Sequence, residues 1–210
     1  MHASLIYDLT LPLGPETIIY PGDLPPVIEQ VSSLDSGDRL TSSHLSIGCH
    51  VGTHVDAPAH FLREGSTIDG LPLQCFCGPA IVIDMRGKRR IRESDVRDCS
   101  IPRNHHVLLK TDNSALLAAP PFAASYTYVE PAAAAYLCKL TPCSVGIDYY
   151  SFDPYESDDF PAHKILANHN LPAFVCLNLG AVPAGLYGFA GLPLLLERTE
   201  ASPVRAIVWR

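Results

Sequence analysis

Between His50 and His60 the chain reads His50-Val-Gly-Thr-His54-Val-Asp56-Ala-Pro-Ala-His60, so three of its nine histidines and one carboxylate fall within eleven residues. Imidazole nitrogen and carboxylate oxygen are the ligand types of zinc and manganese sites. On a straight strand His50 and His54 share a face but lie about 13 Å apart at ~3.3 Å per residue. Ligand atoms of one ion each sit only ~2.1 Å from it. Both histidines can serve one metal only if the chain curls between them, and Gly52 is the residue whose backbone permits the curl. Pro58 steers Ala57 away from helical angles and suits the first turn of a new helix. Asp56 then stands at the helix mouth, with His60 one turn inside. The plain alternative is a polar loop with exposed histidines; the fit of ligands, glycine and proline to one geometry favours a metal site. Two imidazoles and a carboxylate leave coordination positions open, as catalytic sites do, and water bound to such an ion has a pKa of about 7.

Extended by Phe61, the same segment resembles the signature of the cyclase family, which includes bacterial kynurenine formamidases and isatin hydrolases. The resemblance covers nearly the whole chain. Asp8-Leu9 and Tyr20-Pro21-Gly22-Asp23 resemble the family's opening. Gly146-Ile147-Asp148, Ser151-x-Asp153-Pro154 and Asp159-x-Pro161-Ala162-His163 resemble its second block. Gly185-x-Tyr187, Leu192-Pro193-Leu194 and Ser202-Pro203-Val204-Arg205-Ala206 resemble its closing strands. The resemblance implies that His50, His54 and Asp56 hold a first metal, and that Asp56 bridges to a second one completed by His163. It implies His60 as general acid/base beside the metals. It also implies a mixed α/β swivelling domain around a β-barrel-like core, and a homodimer or homotetramer.

At one place the chain departs from that pattern. The family's remaining ligand, a glutamate just before a Leu-Asn-Leu-like stretch, is replaced here by Cys176 in Val175-Cys176-Leu177-Asn178-Leu179. A thiolate binds zinc at ~2.3 Å, but Phe174, Val175 and Leu177 read as an apolar strand in which a cysteine is ordinary core. Cys176 is therefore expected to be a bystander, and the chain to hold one ion, or two with the second weakened.

The chemistry expected of such a site is hydrolysis of a carbon–nitrogen bond in a small amide, aryl formamides such as N-formylkynurenine first and cyclic amides next. Metal-activated water attacks the carbonyl, and His60 passes a proton to the leaving nitrogen. A ring-closing or dehydrating cyclase, or a lactone hydrolase, would use the same residues. A metal- or ligand-binding homologue without turnover is a third reading, with Cys176 as its best support. Structural zinc fits least, because closed sites prefer cysteine-rich sets of four ligands. No Gly-x-Ser-x-Gly elbow surrounds Ser151 or Ser157, and no phosphate-cradling glycine loop occurs.

Short elements must position these residues. Ala80–Asp84, Val107–Lys110, Val145–Asp148 and Pro172–Leu177 read as brief strands of a mixed sheet, and Leu40–Ile47 alternates weakly, with His44 on an outer strand. Helices are expected over Glu93–Asp98, Glu130–Leu140 and Ala162–Asn168, the second opening on Pro131. Nineteen prolines and fourteen glycines fit many short elements joined by tight turns. Residues 1–210 are read as one α/β domain, a mixed sheet or barrel-like core with flanking helices. With 47% apolar residues the chain can bury a full core. A net charge of −7 argues against a nucleic-acid binder, and the run Arg86–Arg92 is expected to be a solvated turn. The longest apolar stretches fall far short of the ~20 residues of a membrane span. Met1 to Ser4 and Asp8 give no basic and apolar leader. Seven irregularly spaced cysteines fit mostly buried free thiols in a reducing cytoplasm. The partner expected is a small-molecule substrate.

Overall fold

The short apolar runs close on themselves. A computed structural model describes residues 5–210, so the Met1–Ser4 part of the leader reading lies outside the described residues. In chain order the strands are β1 (Ile6–Asp8), β2 (Val27–Ser32), β3 (Ser42–Ser46), β4 (His54–Asp56), β5 (Cys77–Asp84), β6 (Arg90–Ile91), β7 (His106–Lys110), β8 (Tyr128–Val129), β9 (Ser144–Ile147), β10 (Ala173–Val175), β11 (Gly185–Pro193) and β12 (Ala201–Trp209). The α-helices are α1 (Glu93–Arg97), α2 (Pro131–Lys139) and α3 (Pro161–Asn168). Seven strands form a ring in the order β12-β11-β5-β7-β9-β10-β4, with β4 pairing back onto β12. Strands β5, β7, β9 and β10 run parallel to one another, and the other pairings of the ring are antiparallel. β1 pairs with the far end of β12, Asp8 facing Ile207. This is the mixed, barrel-like α/β core expected from the sequence.

Side-chain alternation explains the layers. All five residues of β7 are buried, as suits a parallel strand covered on both faces. Leu108 points into the barrel with Val55, Phe174 and Phe189. Its neighbours Val107 and Leu109 face outward and pack with Leu137 of α2 and Leu166 of α3. Helix α2 buries Ala133, Ala134, Leu137 and Cys138, a stripe at helical spacing, and takes Pro131 in its first turn.

Several sequence expectations are refined. The 172–177 run gives only three strand residues, because the backbone turns at Cys176 into the left-handed region, φ 55°. The helix opening on Pro58 is a single 3₁₀ turn, Pro58–His60. The returning chain crosses it at Gly65, where a Cβ would stand 2.4 Å from the Pro58 carbonyl carbon. The alternation around His44 does form a strand, but β3 pairs only with β2, in a ribbon outside the barrel where His44 faces Glu29. The basic run is a solvated turn, with Arg86 paired to Asp84, Lys88 to Asp95 and Arg90 to Glu130. All seven cysteines are unbridged, yet only Cys138 and Cys176 are buried, against the expectation of mostly buried thiols. Among the described residues no helix is long and apolar enough to cross a membrane.

His106, the first residue of β7, has a structural place. It is fully buried, its Nδ1 lies 2.6 Å from Ser144 Oγ, and its Nε2 has no hydrogen-bond partner among the described residues. Burial pushes its pKa down to about 4. The unfolded chain, with an ordinary histidine near ~6.5, therefore binds a proton that the folded one refuses between those values. His106 contributes stability that is complete above pH ~6.5 and lost as the pH falls towards 4, at up to about 1.4 kcal/mol per pH unit. Urea unfolding from pH 7 to 4 should show a slope that His106→Gln flattens; an identical slope in the variant would contradict the assignment.

Candidate metal centre

The curl required between His50 and His54 is present. Gly52 takes φ 66°, and a Cβ there would lie 2.6 Å from Leu13 Cδ2, so any other residue would be strained in this turn and would have to displace Leu13. His54 and Asp56 then enter β4, held between β10 and β12 with Asp56 opposite both Ala173 and Ala201. In a strand those two side chains share a face. Both are buried, whereas His50 is half-buried and His60 is exposed at the end of its 3₁₀ turn.

The ligand atoms converge on one carboxylate oxygen. Asp56 Oδ1 lies 3.0 Å from His50 Nδ1 and 3.4 Å from His54 Nε2. It is buried and accepts no hydrogen bond among the described residues, an expensive state for a carboxylate unless a cation meets it. Two atoms bound to one ion at about 2.1 Å stand about 3 to 3.5 Å apart, which is the separation found here. Two nitrogens and an oxygen around an orphaned carboxylate oxygen fit a divalent cation. His50, Asp56 and His60 each offer an atom within 4.8 Å of the others, which places His60 beside the group. Burial alone would raise the Asp56 carboxyl, but His54 and His50 hold it well below the usual carboxylate range. Burial lowers His50, and the Asp56 and Glu200 carboxylates outweigh it, raising the ring to about 9. His60 is lowered, first by desolvation and against the pull of Asp56, with the other imidazoles adding to the effect.

His163 lines the same cavity but, like His54, is not part of that close group. Its Nδ1 donates to Asp153 Oδ2 at 2.7 Å, which leaves Nε2 free. His54 is oriented in the same way, Nδ1 donating to the Gly52 carbonyl at 2.8 Å. Outer acceptors of this kind set the tautomer and ring plane of metal-binding histidines. Cys176, by contrast, sits behind the site among Ile18, Tyr126, Tyr149 and Tyr150, and burial pushes its thiol well above the usual range. Its carbonyl takes the Thr53 hydroxyl, and its side chain does not line the cavity.

That cavity measures about 430 Å³ and has an aromatic wall of Tyr20, Phe61, Tyr150 and Phe160 facing the histidines. Phe61 stacks on His163 at 4.6 Å between ring centres. Of the aromatic residues flanking Ser151, Tyr150 lines the cavity, whereas Tyr149 is core and Phe152 packs edge-on against His163. The sequence assigned no role to Asp153 or Glu200. Asp153 lies ten positions from the ring it orients and Glu200 lies 150 from His50, spacings that no local pattern encodes.

Residues 7–154 match the family model for putative cyclases. The chain belongs to the cyclase family. Solved structures repeat the fold over most of their length. One, described as a potential metal-dependent hydrolase with cyclase activity, is 28% identical with TM-score 0.87, covering 99% of this chain and 98% of its own. A predicted metal-dependent hydrolase from Bacillus stearothermophilus is 29% identical with TM-score 0.85 at the same coverage. Isatin hydrolase A from Ralstonia solanacearum is 26% identical with TM-score 0.83, over 98% of this chain and 92% of that one.

Within this cyclase-family chain Asp153 carries two loads. Its carboxylate accepts the Ala162 and His163 backbone N–H groups at 2.8 and 3.1 Å as well as the His163 ring. It thus caps α3, whose own N-cap, Phe160, has a left-handed backbone and no capping side chain. Losing the cap and leaving a buried imidazole N–H unpaired should together cost about 2–4 kcal/mol. Asp153→Ala is expected to lose that much in urea unfolding of metal-free protein; a change below about 0.5 kcal/mol would contradict it.

Proposed function

We propose that the protein is a metal-dependent hydrolase of small aryl amides, attacking the carbon–nitrogen bond of aryl formamides such as N-formylkynurenine or of cyclic amides. The observation that carries this reading is the orphaned Asp56 oxygen, flanked by His50 Nδ1 at 3.0 Å and His54 Nε2 at 3.4 Å, at one side of an aromatic-walled cavity. Its solved relatives include a protein named as an isatin hydrolase, and isatin is a cyclic aryl amide. The residues that would hold the metal are His50, His54 and Asp56, with His163 serving a second ion if one binds. Zinc or manganese suits this set. When bound, such an ion polarises a carbonyl and makes water acidic enough to act as a nucleophile at neutral pH.

The chain's own side chains supply the rest. Tyr20, Phe61, Tyr150 and Phe160 receive a flat aromatic ring and exclude water around it. His60, exposed to the cavity and with a lowered pKa, is mostly neutral at pH 7. It can take a proton from the attacking water and return it to the departing nitrogen. Cys176 is a core thiol in this reading, and the seven unbridged cysteines support a reducing, cytoplasmic setting. Self-association is also part of the proposal. The β2–β3 ribbon carries exposed Val27, Ile28, Val31 and Leu45 and makes only sparse contact with the other strands and helices. A monomeric mass by light scattering would remove that element.

The decisive variant is His60→Ala. Loss of a general acid/base costs ~10²- to 10⁴-fold in turnover, so formamide hydrolysis should fall by that factor while bound metal, counted by elemental analysis, stays at the wild-type level. Parallel loss of metal and activity would make His60 a ligand instead. Absence of hydrolysis by metal-loaded wild type across aryl formamides and cyclic amides would sink the reading as a whole.

A further inference from the structure

Glu200 stands one residue before β12, and its backbone and side chain do separate things. Its carbonyl accepts the Ala57 N–H at 2.8 Å, which ties the end of β4 to the start of β12. Its carboxylate, 43% exposed, reaches the other way and places Oε1 3.2 Å from His50 Nε2. An ionised carboxylate only accepts, so Nε2 must carry the hydrogen. When a metal displaces the ring's other proton, the hydrogen facing Glu200 stays on Nε2 and Nδ1, the atom 3.0 Å from Asp56 Oδ1, carries the lone pair.

We infer that Glu200 is a positioning residue of the metal centre, fixing the tautomer and ring plane of His50 so that Nδ1 is held ready as a ligand. The inference rests on the metal reading above and goes beyond it by assigning the outer partner of the first ligand. It completes a pattern, since His54 and His163 each commit one ring nitrogen to an acceptor, Gly52 O and Asp153 Oδ2, and keep the other free. Without Glu200, His50 has a competing arrangement. It can move its hydrogen to Nδ1 and donate to the orphaned Asp56 oxygen, filling the ligand position with a proton. Glu200 therefore opposes the one local hydrogen bond that would close the site.

This device can be tested without disturbing the core. Glu200 is partly exposed, an ion pair of that kind adds little to folding, and its backbone hydrogen bond survives substitution. Chelator-competition titrations with Zn²⁺ and with Mn²⁺ would compare wild type, Glu200→Ala, Glu200→Gln and His54→Ala. Removing an outer partner of a metal-bound histidine typically weakens binding about 10- to 100-fold. Glu200→Ala should show that loss with an unchanged number of ions and an unchanged melting temperature of the metal-free protein. Glu200→Gln, which keeps an acceptor oxygen without the charge, should fall between the two. Unaltered affinity in Glu200→Ala, beside abolished binding in His54→Ala, would overturn this inference alone. Loss of one ion from the count would overturn it by making Glu200 a ligand. Failure of wild type to bind either ion would overturn both this inference and the metal reading.

Discussion

A buried carboxylate oxygen with no hydrogen bond is the constraint on which the rest of this structure turns. Removing a carboxylate from water is costly unless opposite charge or donors compensate. Asp56 has imidazole nitrogens at 3.0 and 3.4 Å, but they are not aimed at Oδ1 as donors. An arrangement that folding alone would have repaired, by rotating one ring into a hydrogen bond, is kept open. Gly52 turns the chain so that His50 can approach, β4 puts His54 and Asp56 on one face, and Gly52 O pins His54 in the orientation that points Nε2 inward.

Closure of the barrel is what assembles the remainder. β4 contributes only three residues, yet it pairs with β10 on one side and β12 on the other. Those neighbours bring Cys176 behind the site and Glu200 beside His50, from more than a hundred positions away in sequence. The parallel strands and the helices over them deliver α3, whose first turn carries His163 and whose cap is Asp153. The same carboxylate that secures the helix also orients the imidazole, so the stability of this corner and the geometry of the ring share one side chain.

Legibility in the sequence followed the range of the interactions. The His50–His60 segment announced itself because its ligands, its glycine and its proline are neighbours, and each answers to local geometry. Strands buried on both faces, such as Val107–Lys110, and a helix with proline in its first turn, Pro131, were readable for the same reason. The three-residue limit of β10 was not, because it is imposed by the turn at Cys176, where Thr53 and Tyr149 take the backbone groups that a longer strand would pair. Nor was the separation of β3 from the barrel, since alternation reports that a strand has two faces but not which sheet receives it. Asp153 and Glu200 carry ordinary acidic signatures in sequence; only the ring nitrogens that the fold brings against them reveal a role.

The most direct measurement is a crystal structure of the protein loaded with Zn²⁺ or Mn²⁺, with the ion identified by anomalous scattering. The account predicts an ion about 2.0 to 2.3 Å from Asp56 Oδ1, His50 Nδ1 and His54 Nε2, with Cys176 Sγ outside its coordination sphere. Metal-loaded crystals in which these three atoms lie more than about 5 Å from every ion would contradict it.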